Sequence, residues 1–334
     1  MSGIRTVLVT GGAGYVGAAL VPSLLAGGYR VRVLDLYLYG DGVLDAVKGH
    51  PNLEQVKGDV RDRALLARTI PGCDALIHLA CISNDPSFEL NPDLGKSINF
   101  DAFSGLLQAS IDAGVRRFIY ASSSSIYGVK ETPDVREDAA PAPLTDYSKF
   151  KLACERVLLA HSGLRDMTAV IVRPATLCGY APRLRLDLTV NILTIHALVN
   201  QRIRIFGGKQ LRPNLNIRDM VRAYEMFLAA PAEKIHREAF NVGFENKSVQ
   251  DIATLVRETL KNPAIELEYE PSRDGRSYHV NSDKVKKVLG FEARYGLEDA
   301  IRSIADAWGR KLIVNPMTNT HYSNINRMRE LNLS

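Results

Sequence analysis

The stretch VTGGAGYVG, Val9–Gly17, constrains this chain more than any other. It follows an apolar run, RTVLVTG (Arg5–Gly11), that reads as a buried strand. It opens YVGAALVPSLLAGG (Tyr15–Gly28), which reads as a helix closed by glycine. Gly11, Gly14 and Gly17 recur at three-residue spacing. Small residues there meet three demands: a tight turn, close approach of backbone to a pyrophosphate, and close packing of helix on strand. The helix N-terminus adds free N–H groups and a positive dipole end for the anion. A glycine-rich turn alone can bind nothing. Its place at a strand-to-helix junction, opening a βαβ unit, is what gives the triad weight.

The same rhythm continues. RVRVLDL (Arg30–Leu36), LEQVKGD (Leu53–Asp59), ALIHLA (Ala75–Ala80), RFIYAS (Arg117–Ser122) and AVIVRPA (Ala169–Ala175) read as strands, with a helix at Asn99–Gly114. Strands alternating with helices predict an α/β fold: a Rossmann, doubly wound parallel sheet covered on both faces. After Pro174 the pattern loosens. Helices are expected at Leu188–Asn200, at Ser248–Leu260 behind a serine N-cap, and at Leu297–Leu312, with a short strand near Ile203–Phe206. The expected division is a dinucleotide domain over 1–174 and a smaller α/β substrate domain over 175–314, interleaved with the first. A polar tail over 315–334 reads as loosely packed or a late addition.

With 334 residues the chain can bury a large core. Its net charge of +5 comes from scattered Lys and Arg rather than a basic run, which argues against nucleic acid while suiting an anionic diphosphate. No apolar run approaches the ~18 residues of a membrane span. Cys73, Cys81, Cys154 and Cys178 form no C-x-x-C pair and fit no zinc spacing, so no metal is expected. Four free thiols in apolar stretches point to a reducing compartment, the cytoplasm.

Asp35 ends the second strand, where an acid meets the adenosine ribose hydroxyls and repels a 2′-phosphate, so NAD is favoured over NADP. The alternative is a surface aspartate at a strand end. Asp59, in GDV (Gly58–Val60), ends the third strand and is a candidate acceptor for the adenine amino group.

TDYSKFKLACERVLLAH (Thr145–His161) reads as a helix on which Tyr147 and Lys151, four apart, share a face. An ammonium beside a phenol favours phenolate and makes tyrosine a usable base near neutral pH. A Tyr-x-x-x-Lys pair occurs often by chance. Here it follows a dinucleotide turn and ASSSSIYG (Ala121–Gly128), a serine tract ending a strand.

Together the glycine triad, Asp35, HLAC (His78–Cys81), SSSSIYG, Tyr147 with Lys151, and Arg173–Pro174 resemble the extended short-chain dehydrogenase/reductases, in particular their nucleotide-sugar epimerases and dehydratases. The resemblance runs from about Arg5 to Trp308. It implies a catalytic Ser123, four residues before the tyrosine of the Tyr127–Gly128 pair, acting with Tyr147 and Lys151; Ser122 is expected to satisfy backbone. It also implies NAD contacts from Gly11, Gly14, Tyr15, Val16, Asp35, Asp59, Val60, Leu79, Ala80, Tyr147 and Lys151. Substrate contacts are implied for Ser123, Ser124, Asn191, Arg212 and Arg273. Sugar 4,6-dehydratases of this family carry an Asp–Glu pair where this chain has Ser124 and Ser125, and decarboxylases keep a glutamate at the second position. Hydroxyls are poor acids and bases, so both reactions are disfavoured. The serine tract resembles that of UDP-glucuronate 4-epimerases and related enzymes. Two departures concern the substrate side: RDGR (Arg273–Arg276) replaces a usual RPGD, and Thr176 and Cys178 stand where many relatives have an asparagine. The Arg183–Arg185–Asp187 cluster reads either as a site for an unusual nucleotide sugar or as a charged surface loop. The resemblance implies C4 epimerisation of a nucleotide sugar with NAD. A 4-dehydrogenase, 4-ketosugar reductase, decarboxylase or non-catalytic dinucleotide sensor are the alternatives. A homodimer through the helices at Asn99–Gly114 and around Tyr147 is implied as well.

Overall fold

A computed structural model describes residues 3–130, 134–161, 163–164, 166–271 and 279–333. Its strands are β1 (Thr6–Thr10), β2 (Arg30–Asp35), β3 (Leu53–Lys57), β4 (Ala75–His78), β5 (Arg117–Ala121), β6 (Thr168–Pro174), β7 (Thr176–Cys178), β8 (Arg202–Phe206), β9 (Leu211–Asn216), β10 (Glu238–Val242), β11 (Glu245–Ser248) and β12 (Glu266–Glu270). Seven form one sheet in the order β10-β6-β5-β4-β1-β2-β3, parallel throughout. Such a sheet buries both faces, which is why β1 reads as unbroken hydrophobics rather than alternation. Val7 and Val9 point into one core with the helices Tyr15–Ala26 and Ile217–Ala229. Leu8 points into the other, with the helices Ala102–Asp112 and Asp146–Ala160. The strand order reverses between β1 and β4, and that switch point fixes where a ligand can enter.

The six strands expected from sequence are present, and the sheet takes a seventh, β10, from beyond residue 175; its Phe240 and Val242 are fully buried. The part of the chain after residue 175 has a core of its own between the helices Thr189–Asn200, Val249–Thr259 and Leu297–Gly309. A three-stranded sheet β11-β9-β7 and a parallel pair β12-β8 complete it. The helix expected from Asn99 begins instead as a π-turn, Ser97–Asp101, before continuing as Ala102–Asp112. The wider turn lets the Asn99 amide bond both Ile82 N–H (2.8 Å) and Ile82 C=O (2.9 Å).

The tail departs from expectation. It forms a 3-10 turn, Thr320–Tyr322, and a helix, Asn324–Glu330. Met328 is 1% exposed within the second core, and Tyr322 C=O accepts from Leu186 N–H at 2.9 Å. The segment looks weakly patterned because only one apolar residue of that helix is buried deeply; Tyr322 and Leu333 pack partly buried beside it, and polar side chains add further ties to the fold.

Among the described residues no helix is long and apolar enough to cross a membrane, and no cluster of His, Cys, Asp or Glu is placed to hold a metal ion.

Candidate active site

A cleft of about 320 Å³ opens at the carboxyl ends of β1, β2, β4, β5 and β6. Gly11 has φ +75°, and a Cβ there would lie 2.6 Å from Ala80 N, so only glycine lets this turn sit on the end of β4. At Gly17 a Cβ would come within 2.4 Å of Gly12 O, which forces the helix onto its own turn. Gly14 meets only Gly11 O at 3.1 Å and lines the open cleft. The three glycines thus divide the roles that the spacing predicts, and the cradle fits a dinucleotide pyrophosphate.

Asp35 receives Ala13 N–H (2.9 Å) on one oxygen and Tyr37 N–H (2.7 Å) on the other. It therefore ties the glycine turn to the loop after β2 while lining the cleft. Burial pushes its carboxyl above the ordinary range, against those two hydrogen bonds. Tyr15, Val16, Val60, Leu79 and Ala80 also line the cleft. Asp59 is differently employed: it is ion-paired with Arg61 at 2.6 Å and lies outside the lining, while its neighbours Gly58 and Val60 belong to it.

Ser123, Ser124, Tyr147 and Lys151 converge on the same cleft. The serine tract leaves β5 and closes as a 3-10 turn, Ser124–Tyr127, for which Ser123 Oγ accepts the Ser125 N–H at 3.1 Å. Ser125 Oγ also donates to Ser123 Oγ, at 2.9 Å. The helix Asp146–Ala160 starts on a Thr145–Ser148 capping box, which fixes Tyr147 in its first turn.

The charge balance at Tyr147 differs from expectation. Burial raises its phenol pKa, Cys81 and Asp85 add to the rise, and Arg185 and Ser123 oppose it. Lys151 Nζ stands 5.8 Å from the Tyr147 ring centroid and donates to Ala121 C=O at 2.7 Å. The protein's own charges therefore leave this phenol protonated, and the positive nicotinamide ring of NAD is the further charge that would draw it down.

Ser122 is also differently employed. Its Oγ donates to Glu155 Oε1 at 2.5 Å rather than to backbone. Glu155, one helical turn beyond Lys151, takes Arg173 in a bidentate pair at 3.0 and 2.7 Å. Arg173 also donates to Tyr127 Oη at 2.8 Å, and Tyr127 Oη donates to Asn241 Oδ1 at 2.7 Å. This buried chain clamps both ends of the serine turn. It explains the Arg173 and Tyr127 markers; Glu155 was missed because nothing sequential links it to Arg173.

A second cavity of about 310 Å³ continues from the first, sharing Asn84, Asp85, Ser125, Thr176 and Leu188 with it. Arg212, for which a substrate contact is implied, lines this cavity. Arg273 lies outside the described residues. Asn191 is fully buried outside both linings: its Oδ1 accepts from Gly179 N–H at 2.9 Å, and its Nδ2 donates to Tyr15 Oη (3.2 Å) and Arg185 C=O (3.0 Å). It shapes the 179–185 loop instead of facing a ligand. The charged cluster on that loop is not a surface feature. Arg185 and Asp187 pair at 2.9 Å, each only partly accessible. Burial opposes the Arg185 charge, but Asp187 outweighs it and holds the guanidinium firmly protonated. Asn84, at a strained φ of +72°, donates to Asp187 Oδ2 at 2.5 Å.

A parallel sheet with a glycine cradle at its switch point, and a Ser–Tyr–Lys group over the same cleft, defines a dinucleotide-dependent enzyme acting on a hydroxyl or carbonyl carbon. Residues 7–243 match the model of the NAD dependent epimerase/dehydratase family, and the chain belongs to it. It is 28% identical over 315 residues to the dTDP-glucose 4,6-dehydratase of Streptomyces griseus, covering 91% of this chain and 94% of that one. It is also 28% identical over 333 residues to the UDP-glucose 4-epimerase of Rhizobium leguminosarum bv. trifolii, covering 92% and 98%. The solved structure of MoeE5 in complex with UDP-glucose and NAD superposes with a TM-score of 0.78, at 29% identity, over 92% of this chain and 99% of that one. Against y4nG of Sinorhizobium fredii, an uncharacterized protein, 35% identity extends over 178 residues, and this chain spans only 42% of that protein's length. The protein is an NAD-dependent enzyme of the epimerase/dehydratase family.

Proposed function

We propose that the protein epimerises a nucleotide sugar at C4 through a transient 4-keto intermediate. The observation that carries this reading is the serine tract. Ser123 and Tyr147 line the same cleft, and the two positions after Ser123, which would need a carboxylic acid and base for dehydration, hold Ser124 and Ser125. NAD, when bound, supplies the hydride acceptor and donor at the sugar carbon. Tyr147 Oη takes the proton of the 4-hydroxyl and returns it to the ketone oxygen. Ser123 Oγ donates to that oxygen as charge develops on it. Lys151, pinned by Ala121 C=O, holds its charge beside the phenol. Arg212, which lines the second cavity, would contact the diphosphate. Asp85 favours a second reading, 4,6-dehydration, because it is a carboxylate lining both cavities. Thr145 Oγ1 donates to it at 2.6 Å.

The test is turnover of purified protein against UDP-, GDP-, CDP- and dTDP-sugars. Epimer with no net NADH supports the proposal. Stoichiometric NADH would replace it with dehydrogenation, a 4-keto-6-deoxy product with dehydration, and released carbon dioxide with decarboxylation. Binding of NAD with no turnover of any sugar would favour a sensor. We also read the protein as a homodimer through the helices Ala102–Asp112 and Asp146–Ala160. Half-buried Phe100, on the π-turn that leads into the first of these helices, stacks on Phe150 of the second, with centroids 5.3 Å apart. A monomer mass in solution would remove that reading.

A further inference from the structure

We infer that the helix Asn324–Glu330 is part of the cofactor site, and that Asn324 is a positioning residue that holds Arg183 over the dinucleotide cleft. Two loops at the carboxyl ends of central strands, after β2 and β4, and the loop after β7 shape this cleft, and the segment after residue 320 ties all three. Asn324 is 1% exposed. Its Nδ2 donates to Ser83 C=O (3.1 Å) and Ser83 Oγ (2.9 Å) on the loop after β4. Its Oδ1 accepts from Arg183 Nη2 on the loop after β7. Arg327 Nε donates at 2.5 Å to Leu38 C=O on the loop after β2. The Arg183 guanidinium lies 3.7 Å from the Tyr39 ring centroid on that same loop.

Arg183 is the reason to assign this tie to ligand binding. It is 3% exposed and lines the cleft, and its Nε has no hydrogen-bond partner. A buried guanidinium N–H is costly to leave unpaired. Its field favours the charge on Asp35, which places it on the adenosine side of the cleft. The ligand chemistry that satisfies it is an anionic or hydroxyl oxygen of the dinucleotide. A clamp joining all three loops must loosen before the dinucleotide leaves, so its effect falls mainly on the rate of release.

The experiment follows NADH fluorescence on binding and displacement in the full chain, with UDP binding and urea unfolding measured in parallel. Asn324→Ala is expected to weaken NADH binding roughly tenfold, mostly through faster dissociation, with UDP affinity unchanged. Combined with Arg183→Met it is expected to be no weaker than Arg183→Met alone, because both act through one contact. NADH binding at the wild-type level with only a lower unfolding midpoint, multiplying effects in the double variant, or a change confined to UDP would each overturn the assignment. Should Asn324→Ala fail to fold, Arg327→Ala cuts the Leu38 tie at a less buried position. The same direction of change, smaller, is expected there, and unaltered NADH release would overturn the proposal.

Discussion

Replacing Glu155 tests whether the serine turn is held by the buried clamp behind it. Glu155 is 2% exposed and Arg173 7%. Truncating Glu155 to Ala leaves the guanidinium with Tyr127 Oη and Glu137 C=O, but with no directly ion-paired carboxylate. Breaking a buried pair from one side costs about 3–5 kcal/mol, against a total stability of roughly 5–15 kcal/mol for a typical domain. Removing both charges with Glu155→Met and Arg173→Met deletes the orphaned charge along with its partner. That double variant is expected to be more stable than the sum of single effects by at least about 2 kcal/mol. Urea unfolding of the four proteins in the cycle gives the coupling directly. Because Ser122 Oγ also loses its acceptor, turnover should fall in Glu155→Ala while NADH binding holds. Additivity within about 0.5 kcal/mol would refute the reasoning, since the pair would then contribute nothing as a pair.

Tyr147→Phe should lower turnover by about 10²–10⁴-fold with NADH affinity retained, and Ser123→Ala by about 10²–10³-fold; steady-state rates beside fluorescence titration check both. Asp35→Asn removes the charge and keeps an acceptor for only one of the two backbone N–H groups, so it should weaken NADH and narrow its advantage over NADPH; an unchanged NADH/NADPH ratio would place the ribose elsewhere. His78, stacked on Tyr120 and bonded to Thr10 Oγ1 at 2.7 Å, has its pKa lowered by burial from 6.5 to about 3. In that window the unfolded chain binds a proton that the folded one refuses, so the His78 contribution falls as pH drops below about 6.5. Wild type should lose up to about 1.4 kcal/mol per pH unit more than His78→Asn in urea unfolding between about pH 6 and about pH 4. Parallel curves would contradict this.

The parallel sheet was legible because its signals are local. Val7–Val9 and Ile119–Tyr120 are short apolar runs bounded by turns, and Gly11, Gly14 and Gly17 punctuate one strand–helix junction. β10 escaped because EAFNV is brief and lies beyond residue 175, where the strand–helix alternation loosens. Asp59 and Asn191 show the limit of spacing arguments. Each stands at a position implied to touch a ligand, yet Arg61 lies two residues from the first, and Gly179 and Tyr15 close on the second. A donor or acceptor is engaged by whatever the fold brings within about 3 Å, and sequence does not say what that is.

The same limit explains why the cleft was half visible. Tyr147 and Lys151 share one helix face, so local geometry predicts their meeting, whereas Ser123, at a strand end, is joined to them in sequence only by the family resemblance. Asn324, Arg183, Ser83 and Tyr39 come from four segments, and their contact has no periodic signature. A polar tail is ordinarily read as solvated because burying an amide is costly. Here Asn324 avoids that cost through three hydrogen bonds, to Ser83 C=O, Ser83 Oγ and Arg183. The cue that was available was the absence of low-complexity character in NTHYSNINRMRE (Asn319–Glu330). Its serine and asparagine caps, at Ser323 and Asn319, mark two helix starts in a stretch with too few apolar residues to stand alone. A segment with helix caps but little apolar surface of its own needs polar anchors elsewhere in the fold, and in this protein those anchors line the cofactor cleft.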